Sequence, residues 1–423
     1  MASKRYDKKG RVLQNGEYQK ADGRYEYRYT DSNGEKRSVY AWRLTESDKA
    51  PLGKNSKDYL RGLEATIKRD LMDGVNSYEA NRRTVDDLFE LSLQVRSLKQ
   101  TTVARYRANY DLYIKPRFGS KWIGDIKHSD ILKFFIELLD KKGLKPNTVA
   151  TVYTILSPAF NLAVRDRLIR SNPAQTAYAE VRRKHDFSKQ KKRALTIEQQ
   201  QAFMRFIKNS RLYCRWGEFY TVLLGTGMRI GEISALCWDD CDFEKGIINV
   251  CRSLSYIKTD GGFRNVIETP KTRAGVRQIP MPDTVRAALL RERECQYWEG
   301  GLCDVEIDGC SGFVFTNRAG GVMNENIVNQ SLNRAIRRYN EEERVKAENE
   351  GRKPILLPKF SPHIFRHTYC TRLCENVGDD VTLKTIQSVM GHSSITMTMD
   401  IYNDLTEQKK RDAFESLKNK IAL

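Results

Sequence analysis

Four separated stretches in the second half of the chain hold side chains able to grip an oxyanion and move protons. In GTGMRIGEI (225–233) a glycine turn puts Arg229 at the start of a helix, with Glu232 one turn on. In ETPKTRAGVRQIP (268–280) Lys271 sits in a turn between two strand-like runs. In SPHIFRHTYCTRL (361–373) Ser361 reads as N-cap and Pro362 as the first helical residue, so His363 and Arg366 share one face near a helix N-terminus. In VMGHSSITMTMDIYND (389–404) His392 follows the helix-stopping Gly391, and Tyr402 comes ten residues later. Guanidinium forks suit paired anionic oxygens, ammonium and imidazole groups carry protons, and a phenol is a nucleophile. Each stretch alone admits a plainer reading: Arg229 and Glu232 as an ion pair, Lys271 as a turn residue. His363, His367, Cys370 and Cys374 fall at i, i+4, i+7 and i+11, which hints at zinc. The two cysteines lack the turn that presents paired thiolates, however, and read better as the apolar stripe of a core helix, so no metal is expected.

These residues need elements to position them. Residues 24–30 (RYEYRYT) and 36–42 (KRSVYAW) alternate around an Asn-Gly turn, a strong hairpin signal. Tyr25, Tyr27 and Tyr29 share one face; Arg24, Glu26 and Arg28 share the other. With the helical KDYLRGLEATIKRDLMDG that follows, residues 1–80 read as a three-stranded sheet plus a helix. The sheet either lies on duplex DNA, with Arg24 and Arg28 in contact, or belongs to a small capping domain with a tyrosine core. Residues 81–177 read as all-helical, with Asn147 a plausible N-cap. Lys99, Thr101, Arg105 and Arg107 gather at one helix start and Lys145, Asn147 and Thr148 at another, a composition suited to phosphate contacts. Residues 178–193 lack apolar periodicity and read as a basic linker, carrying Arg182, Arg183, Lys184, Lys191, Lys192 and Arg193. Thr196 and Gln199 form a capping box that opens a mainly helical α+β domain over 194–423. Its tail, from about residue 405, puts Ala413, Phe414, Leu417 and Ile421 on one helical face.

The 423 residues carry 73 Lys and Arg against 54 Asp and Glu, a formal charge of +19. Of that surplus +17 lies in the first 193 residues, which points to a polyanion partner gripped by the N-terminal half. No apolar run approaches a membrane span, and no secretory leader is recognisable, so a cytoplasmic chain with no membrane partner is expected. All nine cysteines lie after residue 213 without a C-x-x-C pair, as in reduced cytosolic proteins.

Taken together and in order, the four stretches resemble the tyrosine recombinase (phage integrase) family. Its pattern of Arg, hairpin Lys, His-x-x-Arg, His or Trp, and Tyr is filled by Arg229, Lys271, His363, Arg366, His392 and Tyr402. The N-terminal module and the domain order look most like integrases of conjugative transposons. The resemblance implies an arm-DNA-binding module, a helical core-site-binding domain, and a catalytic domain. The implied function is a site-specific recombinase that cuts and rejoins DNA through a 3′-phosphotyrosine, integrating and excising a mobile element. Tyr402 is then the nucleophile, Arg229 and Arg366 hold the non-bridging oxygens, and Lys271 protonates the 5′ oxygen. His363 assists proton transfer and His392 donates a further hydrogen bond. No cofactor is implied. The implied partners are double-stranded DNA at core and arm sites and further copies of the chain, four in the synaptic complex, with the tail docked either on a neighbour, as is frequent in the family, or on its own domain. A directionality factor and a host DNA-bending protein are the accessory partners such a reaction can call on. Two rivals share the scaffold: a type IB topoisomerase-like relaxing enzyme and a non-catalytic DNA-binding regulator.

One geometric condition follows. Ten residues of continuous helix would separate His392 from Tyr402 by ~15 Å, too far to serve one phosphate. A break between them is expected, with Tyr402 on a separate short segment.

Overall fold

Odd-numbered residues of one tyrosine-rich strand build the first core. In the computed structural model, which describes residues 4–31, 34–54, 57–185, 193–259, 261–270, 272–299, 303–317, 319–378 and 381–405, the chain forms two units, Met1–Lys189 and Gln190–Leu423. The first unit opens with a small ladder of β1 (Arg5–Tyr6) on β2 (Val12–Leu13). An antiparallel sheet follows, of β3 (Glu17–Gln19), β4 (Tyr25–Thr30) and β5 (Lys36–Ala41), with β4 central. Helix α1 (Leu60–Met72) lays Leu60 and Ile67 against Tyr25, Tyr27 and Leu44. The other face sets Glu26 opposite Tyr18 and Tyr40.

After a single turn, α2 (Ser77–Ala80), come α3 (Val85–Val95), α4 (Gln100–Asn109), α5 (His128–Asp140), α6 (Pro146–Arg165) and α7 (Ala177–Lys184). A Thr84–Asp87 capping box starts α3. Between α4 and α5 the chain widens into a π-helix over Tyr110–Gly119, where Pro116 has no N–H to give an ordinary helical turn. Ile131, Phe135, Val152, Phe160 and Ala163 are among the fully buried residues of this second core. The sheet module is fastened to it: Arg170 reaches Asp70 at 2.7 Å and Asp73 at 2.9 Å, and the Asn76 amide donates to the Arg167 carbonyl at 2.7 Å.

Two expectations change here. The first half of the supposed linker is helix α7, which buries Ala177 and Val181; two apolar anchors one turn apart are too few to show a period. Lys145, not Asn147, is the N-cap of α6, because Pro146 takes the first helical position and leaves Asn147 inside the first turn.

In the second unit Thr196 and Gln199 cap α8 (Ile197–Asn209), as expected. Next are α9 (Gly217–Thr226), α10 (Ile230–Ser234), and strands β6 (Cys241–Asp242), β7 (Ile247–Val250), β8 (Ser253–Thr259), β9 (Gly262–Glu268) and β10 (Arg277–Pro280). Helices α11 (Asp283–Trp298), α12 (Glu325–Asn349), α13 (His363–Glu375) and α14 (Leu383–Met390) follow, and residues 396–405 are helical. Phe203, Phe219, Tyr220, Phe315 and Phe365 form its aromatic centre. β7 lies between β6 and β10, whereas among the described residues β9 pairs only with β8. The runs flanking Lys271 therefore belong to different sheets and do not form one hairpin with each other.

Candidate functional site

Two helices that stop on left-handed glycines set the site. Helix α9 ends at Gly227 (φ 61°), so the chain turns sharply and Arg229, in extended conformation, becomes the N-cap of α10. Helix α14 ends in the same way at Gly391 (φ 61°). Its last carbonyls then meet three arginines in succession. Val389 accepts from Arg277 Nε at 2.7 Å, Met390 from Arg366 Nη2, and Gly391 from Arg229 Nη2 at 2.9 Å. A helix C-terminus carries unsatisfied carbonyls and partial negative charge, so it suits this cluster of cations.

Arg366, one turn into α13, also donates to the Gly227 carbonyl at 2.9 Å. It is 3% exposed. Burial, and then repulsion from Arg229, push its guanidinium down to about 9, still charged at neutral pH. Burial raises the proton affinity of Glu232, but Arg277 and then Arg229 outweigh it and leave the carboxyl below its usual value. It accepts the Arg229 amide at 2.8 Å and Arg229 Nη1 at 2.7 Å. The Arg229–Glu232 ion pair of the plainer reading is thus present, with a second arginine, Arg277, behind it.

The chain breaks between α14 and the helix at 396–405, and His392 lies in that break. It is buried, with Nδ1 2.9 Å from Thr398 Oγ1. Burial first, then Arg366, Arg229, Arg277 and His363, lower its pKa to about 4, so the ring is neutral at physiological pH. His363 is the exposed first residue of α13. Tyr402, half-buried on the 396–405 helix, packs against the cluster of Cys370, Cys374, Ile386 and Met390. Those two cysteines are core residues of α13, as their spacing suggested.

Lys271 lies outside the described residues, as do Lys191, Lys192 and the tail beyond 405. The backbone just after Lys271 does reach the site, since a Cβ on Gly391 would stand 2.7 Å from the Ala274 carbonyl oxygen. Arg277 escaped the sequence reading altogether.

The candidate DNA contacts divide by environment. Lys99 and Lys145 are the N-caps of α4 and α6, and neither side chain caps its helix. Arg105, Lys145, Asn147, Arg182, Arg183, Lys184 and Arg193 are exposed; Thr101 and Thr148 are half-buried. Arg107 instead forks onto Glu90 at 2.6 and 2.8 Å, tying α4 to α3. Arg28 pairs with Glu26 at 3.1 Å beneath the Tyr18 ring, and Arg24 pairs with Asp22 at 2.7 Å beside Tyr40 and Trp42.

Residues 193–409 match the model of the phage integrase family, residues 1–71 that of the DNA binding domain of tn916 integrase, and residues 87–139 that of the N-terminal SAM-like domain of phage integrases. The chain is 32% identical over 407 residues to the transposase from transposon Tn1545 of Streptococcus pneumoniae, covering 96% of this chain and 95% of that one. Identity and coverage are the same for the transposase from transposon Tn916 of Enterococcus faecalis. Among solved structures, the Tn1549 transposon integrase in complex with transposon right end DNA is 30% identical. Its TM-score is 0.64, over 78% of this chain and 99% of that one.

Proposed function

We propose a reaction for this chain from one premise: it belongs to the phage integrase family of tyrosine recombinases. It is a site-specific DNA recombinase, and its substrate is the end of a mobile element that it integrates and excises. Tyr402 Oη attacks the scissile phosphorus, the bond to the 5′ oxygen breaks, and a 3′-phosphotyrosine stores the bond for rejoining to a partner strand. Arg229 and Arg366 hold the two non-bridging oxygens while charge builds on them. His363 takes the tyrosine proton. Lys271 supplies one to the departing 5′ oxygen. His392 lies with Nδ1 2.9 Å from the Thr398 hydroxyl; in the tautomer whose Nδ1 accepts from that hydroxyl, Nε2 carries the hydrogen that would go to a phosphate oxygen. Because the phosphotyrosine conserves the bond, neither nucleotide nor metal need enter the cycle.

The observation that supports this reading most is that Arg366 and Arg229 are anchored on the two residues before His392, with Tyr402 on the very next helix. The exposed cations of the first unit and the uncapped starts of α4 and α6 would follow the DNA backbone at the core site, and the sheet module would hold an arm site. Four copies would assemble on two duplexes in the cytoplasm, with a directionality factor and a bending protein selecting the outcome.

Incubation with a nicked duplex carrying the protein's own footprinted core site tests this. The wild type should form a denaturation-resistant protein–DNA adduct that Tyr402→Phe loses completely. Absence of a wild-type adduct would favour a regulator, and an adduct on arbitrary duplex DNA a topoisomerase.

A further inference from the structure

We infer that Arg277 is a positioning residue of the strand-transfer site: it fixes Glu232, and through Glu232 Arg229, against the end of α14. The inference rests on the reading of Tyr402 and the two phosphate-holding arginines given above. The hydrogen bonds carry it. Arg277 Nη1 donates to Glu232 Oε1 at 3.1 Å and to the Gly275 carbonyl at 3.2 Å; Nη2 donates to Glu232 Oε2 at 2.9 Å; Nε donates to Val389. Each Glu232 oxygen therefore serves both arginines. Oε1 takes Arg229 Nη1 and Arg277 Nη1, while Oε2 takes the Arg229 amide and Arg277 Nη2. All four acceptor positions of the carboxylate are filled.

Burial separates the roles. The side chains of Arg277 and Glu232 are 5% and 2% exposed, whereas that of Arg229 is 36% exposed. Arg277 faces the protein and Arg229 faces the phosphate. Without Arg277 the buried carboxylate would lose half its hydrogen bonds and a neutralising charge, and its proton affinity would rise. A protonated Glu232 can no longer accept from both the Arg229 amide and its guanidinium. The Val389 bond extends the same chain of contacts to α14, directly before His392. A lysine could keep the charge but not the planar fork that spans both carboxylate oxygens.

A buried ion pair could instead serve stability alone, and substrate charge separates the two. Single-turnover adduct formation by the full-length chain is measured on the nicked core duplex, for wild type, R277Q and R229K. A displaced phosphate-holding group costs about 100-fold, and that is the loss expected for R277Q. The measurement is repeated with a methyl group in place of one non-bridging oxygen of the scissile phosphate. The neutral centre asks less of Arg229, so the R277Q and R229K deficits should both shrink by about tenfold or more. Should R277Q unfold, R277K takes its place in the same comparison. Equal R277Q deficits on both substrates, or wild-type rates on the phosphodiester, would overturn the positioning role. A wild type that forms no Tyr402 adduct would instead overturn the strand-transfer reading beneath it.

Discussion

Among the described groups at the site, three guanidiniums stand against one carboxylate, and His392 stays neutral. That surplus, to which Lys271 would add, suits a phosphodiester that gains charge when a fifth oxygen attacks, if these residues hold it as proposed. Such a site would favour the transition state over bound substrate. Arg366→Lys should therefore lower the single-turnover cleavage rate by about 100- to 1000-fold while DNA affinity in gel-shift titration barely moves. His392 makes a second prediction. An imidazole in the unfolded chain takes its proton near 6.5, but the folded ring resists until about 4. Between those values the unfolded chain binds more protons, so this contribution is present above pH 6.5 and is lost as pH falls toward 4, by ~3 kcal/mol in all. Urea midpoints between pH 6.5 and 4 should fall less steeply for His392→Asn than for wild type. The clustering of Arg229, Arg366 and His392 could be anticipated because each follows a glycine turn or a helix start, whereas Tyr402 was singled out only by the order of the four stretches taken together. Arg277 was not anticipated, because its partners Glu232 and Val389 lie 45 and 112 residues away and nothing in GVRQIP marks it.

At the scale of elements, the two glycine stops matter more than the helices they end. A Cβ at Gly391 would meet the Ala274 carbonyl at 2.7 Å and Arg277 Cδ at 2.9 Å, in a backbone conformation that already costs an L-residue about 1–2 kcal/mol. Gly391→Ala should lower the melting temperature modestly and the cleavage rate by a larger factor, since the displaced carbonyl is the one that holds Arg229. Melting curves run beside single-turnover assays compare the two effects. The break before Tyr402 could be read from sequence because helix rise alone forbids the alternative. Helix α7 could not, because its two apolar anchors are too few to show a period. The pairing of β9 with β8 did leave a local trace, the Asp-Gly at 260–261 between two strand-like runs, which the sequence reading did not use.

At the scale of the molecule, the charge surplus predicts how affinity responds to salt. Removing one side chain that neutralises a DNA phosphate should reduce the slope of log affinity against log salt by about 0.9. Lys145→Ala and Arg105→Ala should each show that change in salt titrations on core duplex, whereas Arg107→Ala, committed to Glu90, should not. The larger unit has little net charge and contributes in another way. Its three arginines hang on carbonyls 389, 390 and 391, the last backbone atoms before the segment that carries the nucleophile. If these arginines hold the phosphate as proposed, its occupancy and the seating of that segment would be linked, each strengthening the other by the same factor. If Tyr402 is the nucleophile as proposed, any shift of residues 389–391 would loosen all three arginines and displace the segment that follows them together.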